Sequence, residues 1–146
     1  MEYIFGPALL FQDKTIETNS LTRSSYLTVL FSASWSIACH EFLESYTVFY
    51  EEANSAAQKV NTIWVSLDRN RQDYENSLTN TDWYALPFNS SRLQTVLDMY
   101  QVASIPSLLL IDHYGRTLTQ SSPTFFAERS CFEVLQVWNE LSESSF

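Results

Sequence analysis

Residues 27–40 read LTVLFSASWSIACH, and this stretch decides the fold. Its first part, Leu27–Phe31, is an apolar run with the length and β-branched content of a buried strand. From Cys39 onward, apolar residues recur every three or four positions, which predicts one face of a long helix. Further along this face come Phe42, Leu43, Tyr46, Phe49, Tyr50, Ala53, Ala56, Ala57 and Val60. A second apolar run, Ile63–Leu67, follows, so the pattern predicts a strand, a helix and a parallel strand joined by a right-handed crossover.

Shorter patterns predict the remaining elements. They are a hairpin over 8–18, helices over 69–78 and 91–100, an antiparallel strand pair over 107–111 and 116–120, and an amphipathic helix from Cys131 onward. No internal repeat, low-complexity tract or linker interrupts this order. The sequence therefore predicts one α/β domain over residues 1–146, with a central mixed sheet flanked by helices.

Charge and hydropathy exclude two classes of partner. Eight basic residues against seventeen acidic ones give a formal net charge of -9, which would repel nucleic-acid phosphates and anionic lipid surfaces. No apolar run approaches the ~18 residues of a membrane span, and residues 1–7 lack the basic region and apolar core of a signal peptide. We therefore expect a soluble protein that binds neither nucleic acid nor membrane.

Cysteine usage points to a reducing environment. The two cysteines, Cys39 and Cys131, fit neither a disulfide framework nor zinc-ligand spacing. This usage predicts the cytoplasm or another reducing intracellular compartment. Nothing in the sequence calls for a cofactor.

Three segments in order carry a family resemblance. They are FSASW at 31–35, WYALPF at 83–88 and YQVASIPSL at 100–108. These segments resemble the thioredoxin superfamily, and more closely its tryparedoxin and nucleoredoxin branch, which has FSASW before a CPPC site, then WLAVPF and YxVxxIPTL. Order and spacing agree over roughly residues 9–120. The resemblance implies a thioredoxin-like fold in which Pro106 follows a cis peptide bond and faces the redox site.

The chain departs from that branch at the redox site itself. The family's first cysteine lies at the helix N-terminus, where backbone N–H groups stabilise its thiolate; the matching residue here is Ser36. Ile37 and Ala38 replace the two prolines, and His40 stands where arginine is usual. Dithiol exchange needs one sulfur to attack and a second to resolve the mixed disulfide, and a hydroxyl does neither. These differences predict natural divergence to a redox-inactive site.

Each candidate reactive group also has a plain structural interpretation. Ser36 fits a helix N-cap better than a nucleophile, because neither His40 nor His113 forms a hydrolase motif with it. Cys39 matches the family's resolving cysteine, and either packs in the core or acts alone as a monothiol; a shielded thiol reacts poorly, which favours packing. Cys131 is expected in the core. His40 beside Cys39 lacks further ligands, so we expect a solvated histidine and no metal site.

The family resemblance also predicts a groove that could bind a protein partner. In the family, the backbone before the proline pairs with an extended partner segment beside the tryptophan, so the resemblance places a shallow apolar groove at five positions. They are Trp35, Ser36, Ile37, Ile105 and Pro106. We therefore predict a redox-inactive module that binds or assembles with a protein partner. The alternative is a thiol-disulfide oxidoreductase that works through Cys39 alone. Partner identity and oligomeric state stay open.

Overall fold

The protein is built on a mixed sheet, which a computed structural model describes within residues 1–144. The seven strands are β1 (Ala8–Phe11), β2 (Lys14–Glu17), β3 (Tyr26–Ser32), β4 (Val60–Ser66), β5 (Tyr84–Ala85), β6 (Ser107–Ile111) and β7 (Thr117–Ser121). The α-helices are α1 (Glu2–Phe5), α2 (Ile37–Ala53), α3 (Arg71–Leu78), α4 (Leu93–Met99) and α5 (Cys131–Ser144), and a 3-10 helix covers Thr18–Arg23.

The sheet has the order β2-β1-β5-β4-β3-β6-β7. The centre is parallel, since β3 pairs with β4 and β4 with β5, and the flanking pairs are antiparallel. The predicted crossover through α2 is confirmed by the parallel pairing of Leu30 with Trp64. The N-terminal hairpin and the antiparallel return from β6 to β7 are confirmed as well.

The side chains of each strand point alternately to the two faces of the sheet, which divides the core into two layers. Successive side chains of a strand point to opposite faces, so neighbours in sequence join different clusters. Leu30 and Trp64 pack with α2, α3 and α5 on one face. Val29 and Ile63 pack with α1 and α4 on the other. Both faces of the central strands are covered, which explains their continuous apolar runs.

Helix α2 ends earlier than the apolar periodicity predicts. The last helical residue is Ala53, and both Ala56 and Ala57 are exposed. The side-chain oxygen of Asn54 accepts hydrogen bonds from the backbone N–H groups of Lys59 and Val60, each at 2.8 Å. These bonds fix a turn in place of further helix, so the predicted extension to Val60 was wrong, and Val60 begins β4.

Three strand ends meet at one edge of the sheet. Ser32 pairs with Ser66 at the ends of the parallel strands β3 and β4, while Phe31 pairs with Ser107 at the start of the antiparallel strand β6. The segments that leave β3 and β4 and the segment that enters β6 therefore lie side by side. Within the described residues, no helix combines the length and apolarity needed to span a membrane.

Candidate functional site

Ser36 caps helix α2. Its backbone is extended, with φ -99° and ψ 119°, and its Oγ accepts a hydrogen bond from the Cys39 backbone N–H at 3.3 Å. A side-chain oxygen at this position satisfies one of the N–H groups that the first helical turn leaves without a partner. This geometry matches the N-cap interpretation of Ser36 and assigns a structural contact to its hydroxyl.

The two thiols are buried to different degrees and lie far apart. Cys39 is 1% exposed in the first turn of α2. Cys131, expected in the core, lies half-buried at its edge, where burial and the nearby Glu52 carboxylate raise the pKa of its thiol. Glu52 is thirteen residues along α2 from Cys39, a rise of about 20 Å at 1.5 Å per residue. Cys131 is therefore too distant to resolve a disulfide formed at Cys39.

Trp35 and Ile37 project from the turn between β3 and α2. Trp35 is 51% exposed and Ile37 is 77% exposed, high values for large apolar side chains. The Trp35 indole is fixed in place, because its Nε1–H donates to the Leu67 carbonyl at 3.2 Å. The Arg69 guanidinium lies over the same ring, 4.8 Å from its centre.

Asp68 anchors the turn, and the sequence prediction missed it. Its Oδ1 accepts from the Ser34 backbone N–H at 2.6 Å and from the Ser34 Oγ–H at 2.7 Å. Asp68 is only 9% exposed and is the second residue after the end of β4. The available signal was its position just after a buried strand that was already predicted to run parallel to β3.

Ile105 and Pro106 lie at the same sheet edge, immediately before β6. The peptide bond between them is cis, and both side chains are half-buried. In the described part of the chain, the backbone N–H of Ile105 has no hydrogen-bond partner. The β3–β6 register therefore brings Ile105 and Pro106 to the edge that carries the Trp35 turn.

His40 supports the turn from the α2 side. Its Nε2 lies 2.6 Å from the Ser34 carbonyl oxygen, and because a carbonyl only accepts, Nε2 is the donor. The side chain is exposed, as expected, but it is tied to the turn rather than simply solvated. Among residues 1–144, no three His, Cys, Asp or Glu side chains gather in a way that could hold a metal ion.

Comparison with known proteins identifies the family. The family model described as "Thioredoxin-like" matches residues 24–117, and the chain belongs to that family. Nucleoredoxin from Bos taurus is 29% identical over 120 residues, which make up 82% of this chain and 27% of that protein. Nucleoredoxin from Homo sapiens is 28% identical over 120 residues, with the same 82% and 27% coverage. The chain thus spans about a quarter of the length of these curated relatives.

Solved structures agree with this assignment. Thioredoxin from Wuchereria bancrofti superposes with a TM-score of 0.74 and 26% identity, covering 92% of this chain and 95% of that one. Tryparedoxin from Trypanosoma brucei superposes with a TM-score of 0.72 and 28% identity, covering 84% of this chain and 85% of that one. The fold is therefore thioredoxin-like, and the resemblance to the tryparedoxin and nucleoredoxin branch is confirmed.

Proposed function

We propose that this chain is a redox-inactive thioredoxin-like domain that binds a protein partner through the sheet edge described above. The observation that carries the proposal is the state of the α2 N-terminus: Ser36 occupies the N-cap, and the nearby thiol of Cys39 is 1% exposed. Dithiol exchange needs two sulfur atoms within reach of each other, and one of them accessible. Ser36 supplies no sulfur, and Cys131, on α5, lies beside the end of α2 that is opposite to Cys39.

The binding surface consists of Trp35, Ser36, Ile37, Ile105 and Pro106, and we call it the motif surface. Two features suit it to an extended peptide segment. Trp35 and Ile37 offer exposed apolar area, and the Ile105 N–H is free to donate to the backbone of a partner. Backbone pairing beside apolar pockets is a common way for a domain to hold an extended peptide.

The proposal places the protein in the cytoplasm or another reducing intracellular compartment. Cys39 and Cys131 are both free thiols, and free cysteines without a partner are typical of reducing compartments.

Co-isolation of native partners tests the motif surface. Tagged wild-type protein is compared with Trp35→Ala, with Ile37→Asp, and with the double variant Glu51→Lys and Glu52→Lys on the exposed face of α2. We expect the Trp35 and Ile37 variants to lose at least about fivefold in partner recovery, as for an aromatic anchor worth 1 kcal/mol or more. The double variant serves as the matched control and should keep the partners.

The opposite result would show that the partner binds at a different surface. If the Trp35 and Ile37 variants stay folded and keep their partners while the Glu51 and Glu52 variant loses them, the acidic face of α2 is the binding surface. Circular dichroism of each variant establishes that the loss of a partner is not a loss of fold.

A further inference from the structure

Arg69 is a basic side chain without a carboxylate partner. The chain has seventeen acidic residues against eight basic ones, yet within residues 1–144 no carboxylate lies within ion-pairing distance of Arg69. The ion pairs of the described residues involve Arg116 and Arg129. Arg69 is exposed and contacts the Trp35 ring. Other basic residues also lack an ion pair, but Arg69 is the one whose charge lies against Trp35 of the motif surface among the described residues.

The loop that carries Arg69 is held to the Trp35 turn by several contacts. The Leu67 backbone N–H donates to the Ser32 carbonyl at 2.9 Å, and the Leu67 carbonyl accepts from the Trp35 indole at 3.2 Å. The neighbouring carboxylate of Asp68 holds Ser34 through two bonds. Because these bonds join the ends of β3 and β4, Arg69 and Trp35 form one preorganised unit.

Stacking determines what Arg69 offers to a partner. The Trp35 ring covers one side of the Arg69 guanidinium, 4.8 Å away, and the N–H donors of Arg69 bind no carboxylate among the described residues. Those donors suit a carboxylate, which can accept two parallel hydrogen bonds. The indole excludes water from one face of the cation, so such a pair is less screened than an ordinary surface ion pair.

We propose that the motif surface selects an extended peptide segment that carries an aspartate or glutamate next to an apolar side chain. The carboxylate binds Arg69, and the apolar side chain packs on Trp35 and Ile37. This inference rests on the proposed function and adds the chemistry of the partner. A side-chain carboxylate is the favoured source of negative charge, because a formal net charge of -9 disfavours a polyanion such as nucleic acid.

Selection from a random phage-displayed peptide library tests the proposal on purified protein. Wild-type protein should enrich peptides with Asp or Glu adjacent to an apolar residue. Arg69→Gln should lose the acidic preference, and Arg69→Glu should replace it with Lys or Arg. Arg23→Glu makes the same charge change on an exposed residue before β3, at the opposite end of that strand, and should leave the selection unchanged.

A selected peptide and its Asp→Asn counterpart then give the size of the effect. We expect the Asn peptide to bind wild-type protein about tenfold more weakly, as for one charge-assisted hydrogen bond. The two peptides should bind Arg69→Gln with equal affinity. Peptides without an acidic excess, an acidic excess that persists in Arg69→Glu, or no selected peptide at all would overturn the inference.

The two proposals fail in different ways. If Trp35→Ala abolishes selection while Arg69→Glu still selects acidic peptides, the motif surface binds peptides but Arg69 does not choose them. If Trp35→Ala keeps the wild-type selection, the motif surface is not the binding site and the proposed function fails with it.

Discussion

At the residue scale, Asp68 links two turns that are far apart in sequence. Its Oδ1 holds both the N–H and the hydroxyl of Ser34, and its Oδ2 accepts from the Ser77 hydroxyl at 3.4 Å. A carboxylate that is nearly buried is stable only if such donors surround it. Asp68 therefore holds the Trp35 turn against the end of β4.

Removing this carboxylate should destabilise the protein. We expect Asp68→Ala to lower the free energy of unfolding by about 1–3 kcal/mol, because the Ser34 donors lose their acceptor in a shielded position. Asp68→Asn keeps one oxygen acceptor and should cost less. Urea denaturation measures both. Asp98→Ala is the control, since among the described residues that exposed carboxylate bonds only to Gln94 on the helix surface. Equal losses for Asp68→Ala and Asp98→Ala would contradict the anchoring role.

Substitutions of Cys39 test, also at the residue scale, whether this side chain is packed in the core or is accessible for reaction. Because the side chain is 1% exposed, Cys39→Ala should lower stability by about 1 kcal/mol, as for a small loss of buried volume. Cys39→Asp should be far worse, since it would bury an unpaired charge. Denaturant unfolding compares the two variants, and equal stabilities would show that the position is accessible.

Alkylation of the native protein separates the two functional interpretations of Cys39. Half-buried Cys131 is the internal control, and mass spectrometry should find it labelled before Cys39. Rapid labelling of Cys39 in the folded protein would favour the alternative of a monothiol oxidoreductase.

At the scale of elements, the N-terminus of α2 is where the proposal of a redox-inactive site can be tested. Ser36 sits at the N-cap, three residues before Cys39. We expect wild-type protein to show no turnover in a disulfide-reduction assay with a dithiol reductant, and Ser36→Cys to form an intramolecular disulfide with Cys39 under mild oxidant. A count of free thiols before and after oxidation measures this.

Ser36→Ala is the matched control for that experiment, and it should retain both free thiols. If Ser36→Cys stays fully reduced under oxidant, the alignment of this turn with the redox site is wrong. Wild-type catalysis above the rate of the reductant alone would contradict the redox-inactive proposal.

Periodicity predicted the existence of the elements better than their ends. The strands β3, β4 and β6 were found at their predicted places, because continuous apolar runs of strand length mark a sheet covered on both faces. The end of α2 was missed because Ala56, Ala57 and Val60 continue the helical spacing by chance. A side chain outside the periodic pattern, Asn54, decides where the helix stops.

At the scale of the whole molecule, the candidate site could be predicted only where a segment resembling the family marks it, as for Trp35, Ile105 and Pro106. Trp35 ends the FSASW segment that carries the family resemblance, and Ser36 and Ile37 follow it directly. Asp68 and Arg69 escaped notice because they lie in none of the three segments that carry the family resemblance. Only the parallel register of β3 and β4 places them beside the motif, and a register of paired strands is a property of the assembled sheet.

The core on the α2 side contains a buried cluster of hydroxyl groups, and we expect its stability to depend on pH. The Tyr46 hydroxyl lies 2.9 Å from the Thr28 Oγ1 and 2.7 Å from the Thr62 Oγ1, and all three side chains are fully buried. Burial raises the pKa of Tyr46 to about 12. Burial also raises the pKa of Tyr74, on α3, to about 12. Both phenols must stay protonated for this face of the sheet to remain packed.

Stability should therefore fall steeply in alkali. The pKa of an unfolded tyrosine is about 10, so the stabilisation that comes from keeping Tyr46 and Tyr74 neutral is complete below pH 10. It is lost as the pH rises through about 12. Urea midpoints at about pH 8, 10 and 11.5 should show the decline at the last step. Tyr46→Phe should be less stable at pH 8, because the threonine hydroxyls lose a partner, but should decline less between pH 10 and 11.5. A wild-type midpoint that stays constant to pH 11.5 would show that these phenols ionise without unfolding the core.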